Sequence, residues 1–363
     1  MKVVLDLRSV HPGMTGIGRY ALNLCLSLAG HGSIQLHGVT TIPGADYIRK
    51  LIDIPLEIVN EGGGPGWDHL VFPDLLRTLE ADILHSPLFI LPNVKACKYI
   101  TTLHDVIPLV RPDLCPAEFI EFFKQSMAAT LKRADHVVTV SAFSRQDILS
   151  HLDIEAHRVT AIHEPISPFF GRRNQNGKVF DLEPGFILSV GAIDRRKNLS
   201  GLLSAFALLR ERRSSVPLLV LVGAPSGDGF DVSAEIERRG LSGFVRCLGR
   251  VSDEILAELY GAAGVFVFPS LYEGFGLPVV EAMASGTPVV ASGTTSIPEI
   301  AGDAALFVNP QDPREIEAAI ERVLDDKGLR SWLVEQGLAR AAQYSLQSQA
   351  EKLHQLYERV LAA

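Results

Sequence analysis

The sequence predicts an α/β protein built from two doubly wound parallel-sheet domains. Short apolar runs alternate with longer stretches of helical period along the whole chain, which is the pattern of βαβ units. A polar stretch at 171–177, Gly-Arg-Arg-Asn-Gln-Asn-Gly, breaks that rhythm, and the rhythm restarts after it. The length of 363 residues suits two domains of roughly 150–200 residues each. With 47% apolar residues, both domains can bury a core.

In the first half the apolar runs place strands at 2–7, 34–40, 82–84, 99–103, 136–140 and 159–162. Helices are predicted between most of them, among them 19–29 and 118–133. The 171–177 stretch has linker chemistry, because Gly and Asn supply turns and no apolar period runs through it. In the second half, strands are predicted at 186–190, 218–222, 245–248, 265–268, 288–291 and 305–308. Apolar spacings of three and four then predict helices at 314–324, 329–343 and 346–361. The expected organisation is a first domain over 1–170, a second over 171–345, and a last helix at 346–363.

Charge narrows the function classes. The net charge is -8, with 34 basic and 42 acidic residues and no basic half or tail. Nucleic-acid binding is therefore not expected. The cysteines Cys25, Cys97, Cys115 and Cys247 lie scattered without Cys-x-x-Cys spacing, which argues against a disulfide frame or a zinc site. The opening Met1-Lys-Val-Val-Leu reads directly as a strand, so no signal peptide is expected. No apolar run approaches the roughly 18 residues of a membrane span. A cytoplasmic protein is expected, at most attached to the inner face of a membrane.

In open parallel sheets, ligands bind beyond the carboxyl ends of the strands. The strand at 265–268 leads into Pro269-Ser-Leu-Tyr-Glu-Gly-Phe-Gly-Leu-Pro-Val-Val-Glu281. Gly274 and Gly276 let backbone approach a ligand, and Pro278 fits a helical first turn. The loop thus offers amide N–H groups at a helix start, which suits phosphate. Glu273 and Glu281 flank it, and carboxylates pair well with vicinal hydroxyls of a sugar or ribose. Without this context, Glu281 would read as a charge complementing the helix dipole in the first turn, and Glu273 as a solvated loop residue.

This segment resembles the E-x7-E motif of the family-4 retaining glycosyltransferases, which have the GT-B fold of two Rossmann-like domains facing across a cleft. The resemblance implies that the first domain binds the acceptor, that the second binds the nucleotide sugar, and that the last helix, 346–363, crosses back to the first domain. The match runs from Phe268-Pro-Ser through Ala284-Ser-Gly-Thr-Pro-Val-Val. The resemblance implies that Glu273 contacts the transferred sugar. It also implies that the amides of Gly274, Phe275, Gly276 and Leu277 contact sugar and phosphate, and that Glu281 holds the ribose.

Three further strand ends carry chemistry. After 186–190 comes Gly191-Ala-Ile-Asp-Arg-Arg-Lys-Asn198, where Arg196 and Lys197 can neutralise a departing diphosphate. The turn resembles the diphosphate-binding turn of the same family, although members often carry an arginine where this chain has Ala192. Gly16-Ile-Gly-Arg-Tyr-Ala21 formally fits a dinucleotide fingerprint. It stands too far from its strand, however, and the next strand lacks a terminal acid for ribose. It reads instead as a flexible glycine-rich flap. The family's glycine pair implies that Gly16 and Gly18 face the donor phosphate and the acceptor. His104-Asp-Val-Ile-Pro108 resembles the family's His-Asp-x-x-Pro segment, which implies that His104 lies beside the donor sugar. His85 is a weaker candidate at its strand end, and Ser141 is expected first to cap a helix and second to contact the acceptor.

The eleven histidines show no metal-binding spacing, so no metal and no cofactor is expected to be required. Phe119, Ile120, Phe122 and Phe123 beside Lys124, Lys132 and Arg133 could touch a membrane carrying a lipid-linked acceptor. Glu118 and Glu121 interrupt that face, so these apolar residues are expected in the core. The expected activity is transfer of a hexose from a nucleotide diphosphate sugar to a saccharide or lipid-linked saccharide. The forms Arg196-Lys-Asn198 and His104-Asp-Val-Ile-Pro108 resemble those of bacterial mannosyltransferases, which implies GDP-mannose as donor, and the family implies retention through a front-face displacement. A UDP-hexose donor is the alternative, and a catalytically idle nucleotide-binding module is a reading of different class.

Overall fold

Runs such as Ile83-Leu-His-Ser86 and Val265-Phe-Val-Phe268 are buried on both faces, as strands inside a helix-covered parallel sheet must be. The computed structural model describes residues 1–59, 70–171 and 179–363. It places those strands in two sheets. The expected linker lies, beyond Gly171, outside the described residues.

The chain divides into one unit of Met1–Pro112, Pro116–Pro165 and Ser345–Ala363, and another of Asp113–Cys115 and Ile166–Tyr344. In the first unit the strands are β1 Lys2–Asp6, β2 Gln35–Thr41, β3 Leu56–Val59, β4 Ile83–Ser86, β5 Lys98–Thr102, β6 His136–Thr139 and β7 Val159–Ala161. Its helices are α1 Gly16–Ala29, α2 Ile42–Ile48, α3 Phe72–Thr78, α4 Ile107–Val110, α5 Ala117–Arg133 and α6 Ala142–His151, with the C-terminal Leu346–Ala362 joining them. The sheet order is β3-β2-β1-β4-β5-β6-β7, every pair parallel. Val4, Leu84, Tyr99, Phe123 and Val137 belong to its core.

In the second unit the strands are β8 Ile187–Val190, β9 Leu219–Val222, β10 Val245–Cys247, β11 Val265–Phe268, β12 Val289–Ser292 and β13 Leu306–Val308. Its helices are α7 Leu199–Arg212, α8 Val232–Arg238, α9 Asp253–Ala262, α10 Leu277–Ala284, α11 Ile297–Ala301, α12 Pro313–Asp325 and α13 Lys327–Ala341, leaving the C-terminal helix as α14. The order is β10-β9-β8-β11-β12-β13, again all parallel. Leu202, Phe206, Val265 and Val267 lie in this core. Both sheets reverse direction of strand order once, at β1/β4 and at β8/β11. Such switch points are where open α/β sheets bind ligands.

The predicted α/β class and the strands of the motif-bearing loops are borne out. Strand β3 went unpredicted, because it is short, at the sheet edge, and carries Glu57. The aromatic cluster on α5 is only partly core. Phe123, Met127 and Thr130 form the buried stripe at helical spacing. That rotates Phe119 and Phe122 to the margin, 39% and 47% exposed. Among the described residues, no helix is long and apolar enough to cross a membrane.

Candidate active site

The second unit's switch point gathers the basic turn and the paired-glutamate loop. After β8 a 3-10 turn runs over Arg195–Lys197, capped by Asp194, whose carboxylate accepts from the Lys197 amide at 2.9 Å. Asn198 follows at φ 55°, a left-handed conformation that asparagine tolerates better than most residues. Its side chain accepts from the Gly201 amide at 3.3 Å and caps α7. It also donates to the carbonyls of Pro269 at 3.1 Å and Pro310 at 2.6 Å. One residue thus ties the loops after β8, β11 and β13 together.

The loop after β11 meets this turn directly. The Leu271 amide donates to the Arg196 carbonyl at 2.8 Å. Glu273 lies between the two cations, with Arg196 Nη1 at 2.8 Å from Oε2 and Lys197 Nζ at 2.6 Å from Oε1. Arg196 also reaches the Tyr272 carbonyl at 3.3 Å and the Asp194 carboxylate at 3.8 Å. The Lys197 ammonium stands 4.6 Å from the centre of the Phe268 ring, a cation–π distance. Glu273 and Lys197 are 6% and 9% exposed, so water screens little of this cluster. Burial pushes the Glu273 carboxyl up, but Arg196 and Lys197 outweigh it and hold the group below the usual carboxylate range. Burial, then the Arg196 charge, pull the Lys197 ammonium down, against the opposing pull of Glu273.

The glycines of the loop let it close onto α10. Gly276 has φ 103° and precedes the helix, and a Cβ there would come 2.5 Å from Ile297 Cδ1. Pro278 occupies the first turn, and no side chain caps the helix start. The Ser296 hydroxyl donates toward the carbonyls of Glu273 at 2.9 Å and Phe275 at 3.1 Å. Glu281 departs from the reading as a first-turn charge. It lies beyond the first turn of α10, is 6% exposed, and accepts from the Tyr260 hydroxyl at 3.0 Å. A helix-dipole role is thereby removed, and a buried hydrogen-bonded carboxylate takes its place.

The remaining candidates lie in the first unit. His104 Nδ1 stands 3.4 Å from Glu164 Oε1 and Nε2 stands 3.2 Å from the Pro87 carbonyl. Tyr20 packs edge-on against its ring at 4.7 Å. The glycine pair is not in a flap: Gly16 opens α1 and Gly18 lies buried in its first turn. A Cβ at Gly18 would come 2.3 Å from the Ser9 carbonyl oxygen and 2.6 Å from Met14 Cβ. The glycine is there so that the preceding loop can fold down onto the helix. His85 is fully buried rather than open at its strand end. Its Nδ1 pairs with the Tyr357 hydroxyl at 2.6 Å and its Nε2 with Thr102 Oγ1 at 2.8 Å. Ser141 caps α6 as expected, accepting from the Ser144 amide.

Sequence reasoning missed Asn198, Tyr260, Glu164 and Ser296. Asn198 and Ser296 each carried a local signal, a cap-type residue at the start of a helix. Among the described residues, no group of three or more His, Cys, Asp or Glu could hold a metal ion.

Residues 172–340 match the family described as Glycosyl transferases group 1, and residues 14–168 match Glycosyltransferase Family 4. The chain is 33% identical to the Escherichia coli O-antigen chain mannosyltransferase B, over 95% of this chain and 96% of that one. It is 31% identical to an Escherichia coli serotype-specific mannosyltransferase WbdA over 73% of this chain, spanning 34% of that longer protein. Among solved structures, a sucrose-phosphate synthase from Thermosynechococcus elongatus shares the fold with a TM-score of 0.77 at 22% identity, covering 100% of this chain and 99% of that one.

Proposed function

This chain belongs to the family-4 glycosyltransferases of GT-B fold, and from that premise we propose that it moves mannose from GDP-mannose to a hydroxyl of a saccharide or lipid-linked saccharide, with retention. The observation that carries this reading is the Arg196–Glu273–Lys197 cluster at the β8/β11 switch point. The mannosyl assignment is supported by the two relatives, both named mannosyltransferases.

In this reading the second unit holds the nucleotide sugar and the first unit the acceptor. Arg196 and Lys197 turn from Glu273 toward the diphosphate and offset the charge that builds as the glycosidic bond breaks. The amides of Gly274, Phe275, Gly276 and Leu277 meet sugar and phosphate, and Glu281 exchanges Tyr260 for the ribose. Gly16 and Gly18 border the donor phosphate and acceptor, and His104 lies beside the sugar. Glu273 does not act as a covalent nucleophile. Once Arg196 and Lys197 have turned to the diphosphate, the family's front-face displacement leaves the attack to the acceptor oxygen and not to this carboxylate. Its part is to orient sugar hydroxyls and stabilise positive charge at the anomeric carbon. The acceptor oxygen bonds to that carbon as the bond to the diphosphate oxygen breaks, and the departing phosphate takes the acceptor's proton. No metal is needed, because the basic pair supplies the charge. The protein works in the cytoplasm, where exposed Phe119 and Phe122 beside Lys124 support contact with a membrane bearing the acceptor.

A thermal-shift panel of nucleoside diphosphates tests the donor. GDP at 100 times its Kd should stabilise the protein by about 2.7 kcal/mol. Stabilisation by UDP but not GDP would replace mannose with a UDP-hexose. Binding of GDP without turnover of GDP-mannose would leave an idle nucleotide-binding module.

A further inference from the structure

We propose that Thr295 is a positioning residue for the transfer reaction, held in a strained backbone conformation so that its hydroxyl fixes the amide of Glu273. The proposal rests on the reading of Glu273 given above. Thr295 lies between β12 and α11 at φ 59°. A β-branched residue is a true outlier in the left-handed region, where glycine sits freely. Such conformations persist only where their surroundings over-determine them, and they concentrate at functional sites.

The hydrogen bonds say what the strained residue does. Thr295 Oγ1 donates its proton to the Thr294 carbonyl at 2.7 Å. Its lone pairs are left to accept, and the Glu273 amide donates to it at 3.3 Å. The neighbouring Ser296 hydroxyl donates toward the Glu273 carbonyl at 2.9 Å. Glu273 is thus held at its carboxylate by the basic turn, at its amide by Thr295 and at its carbonyl by Ser296. When a diphosphate draws Arg196 and Lys197 away, the first hold goes and the two backbone holds remain. Glycine would satisfy the backbone at 295 but would leave the Glu273 amide without this acceptor.

The test uses the full chain and compares Thr295→Gly, Thr295→Ser and Glu273→Gln with the parent. Donor turnover to water is read as nucleotide release from GDP-mannose, or from UDP-glucose if the nucleotide panel selects UDP. Melting temperature is read alongside. Thr295→Gly should lose kcat by about two- to tenfold, the worth of one hydrogen bond, with donor KM nearly unchanged and Tm held or raised. Thr295→Ser should keep most of the parental kcat. Parental kcat in Thr295→Gly, or equal loss in Thr295→Ser, overturns the proposal. So does a fall in Tm that accompanies the loss, since Thr295 would then only support the fold. Glu273→Gln separates the two layers. Parental turnover in that variant sinks the Glu273 reading and this proposal with it, whereas a slow Glu273→Gln beside a fast Thr295→Gly sinks this proposal alone.

Discussion

Replacing Glu273 by glutamine should destabilise the second unit, even though the substitution is nearly isosteric. The change leaves Lys197, 9% exposed, and Arg196 beside each other without the carboxylate that both contact at 2.6 and 2.8 Å. Removing one partner of a buried pair costs about 3–5 kcal/mol, because the surviving charge has lost its solvation and its counter-ion. For a unit of this size each kcal/mol moves Tm by about 2–4 °C, so the fall should be about 6–20 °C. Lys197 can relieve part of this by shedding its proton. Burial and Arg196 already pull its ammonium down, and losing Glu273 removes the opposing influence. The folded state then binds fewer protons than the unfolded state in the window below the ordinary lysine value. In that window stability rises with pH, and the deficit of the variant should shrink toward alkaline pH. Adding Lys197→Met removes the stranded charge and sets an apolar chain against Phe268. The double variant should therefore be more stable than the sum of the single effects, by about 0.5–3 kcal/mol. Calorimetric unfolding of the parent, both single variants and the double variant at fixed ionic strength measures this coupling. Additive effects, or a Glu273→Gln variant as stable as the parent, would refute the paired-charge account.

Three further outcomes are expected. His85, buried between Tyr357 and Thr102, has its imidazole pulled down by burial and then His104 to about 3, from an ordinary 6.5. The unfolded chain binds the extra proton between those values, so stability contributed by neutral His85 rises with pH across that window. His85→Gln should flatten the corresponding part of the Tm–pH curve, and an unchanged curve would show that His85 does not titrate there. Gly18→Ala should cost about 1–3 kcal/mol, because its Cβ would fall 2.3 Å from the Ser9 carbonyl. Gly16→Ala, with nothing within 4 Å of its Cβ, should be neutral or stabilising by up to about 1 kcal/mol in the same unfolding assay. Ser141→Ala should lose the α6 cap and about 1 kcal/mol, with donor turnover unaffected.

The contrast between those two glycines shows where sequence reasoning stops. Strand–loop–helix order was readable because a buried parallel strand is a short apolar run and its loop is polar, which is why Arg196, Lys197 and Glu273 could be placed at strand ends and Glu281 on the helix that follows. Glycine, however, lowers helix propensity wherever it stands, so Gly16 and Gly18 read as loop although they begin α1. Only the loop folded over it, with the Ser9 carbonyl and Met14 Cβ in the way of a side chain, explains the second one. His85 misled in the same manner. Its partner Tyr357 lies 272 residues away on α14, and no local pattern announces such a hydrogen bond. Thr295 is harder still, since threonine's own preference argues against the left-handed backbone it adopts. The residues proposed to bring chemistry to this site are therefore announced by type and position. Those that hold them in place, Asn198, Ser296 and Thr295, act through carbonyls and amides of distant loops, and the backbone has no letter in the sequence.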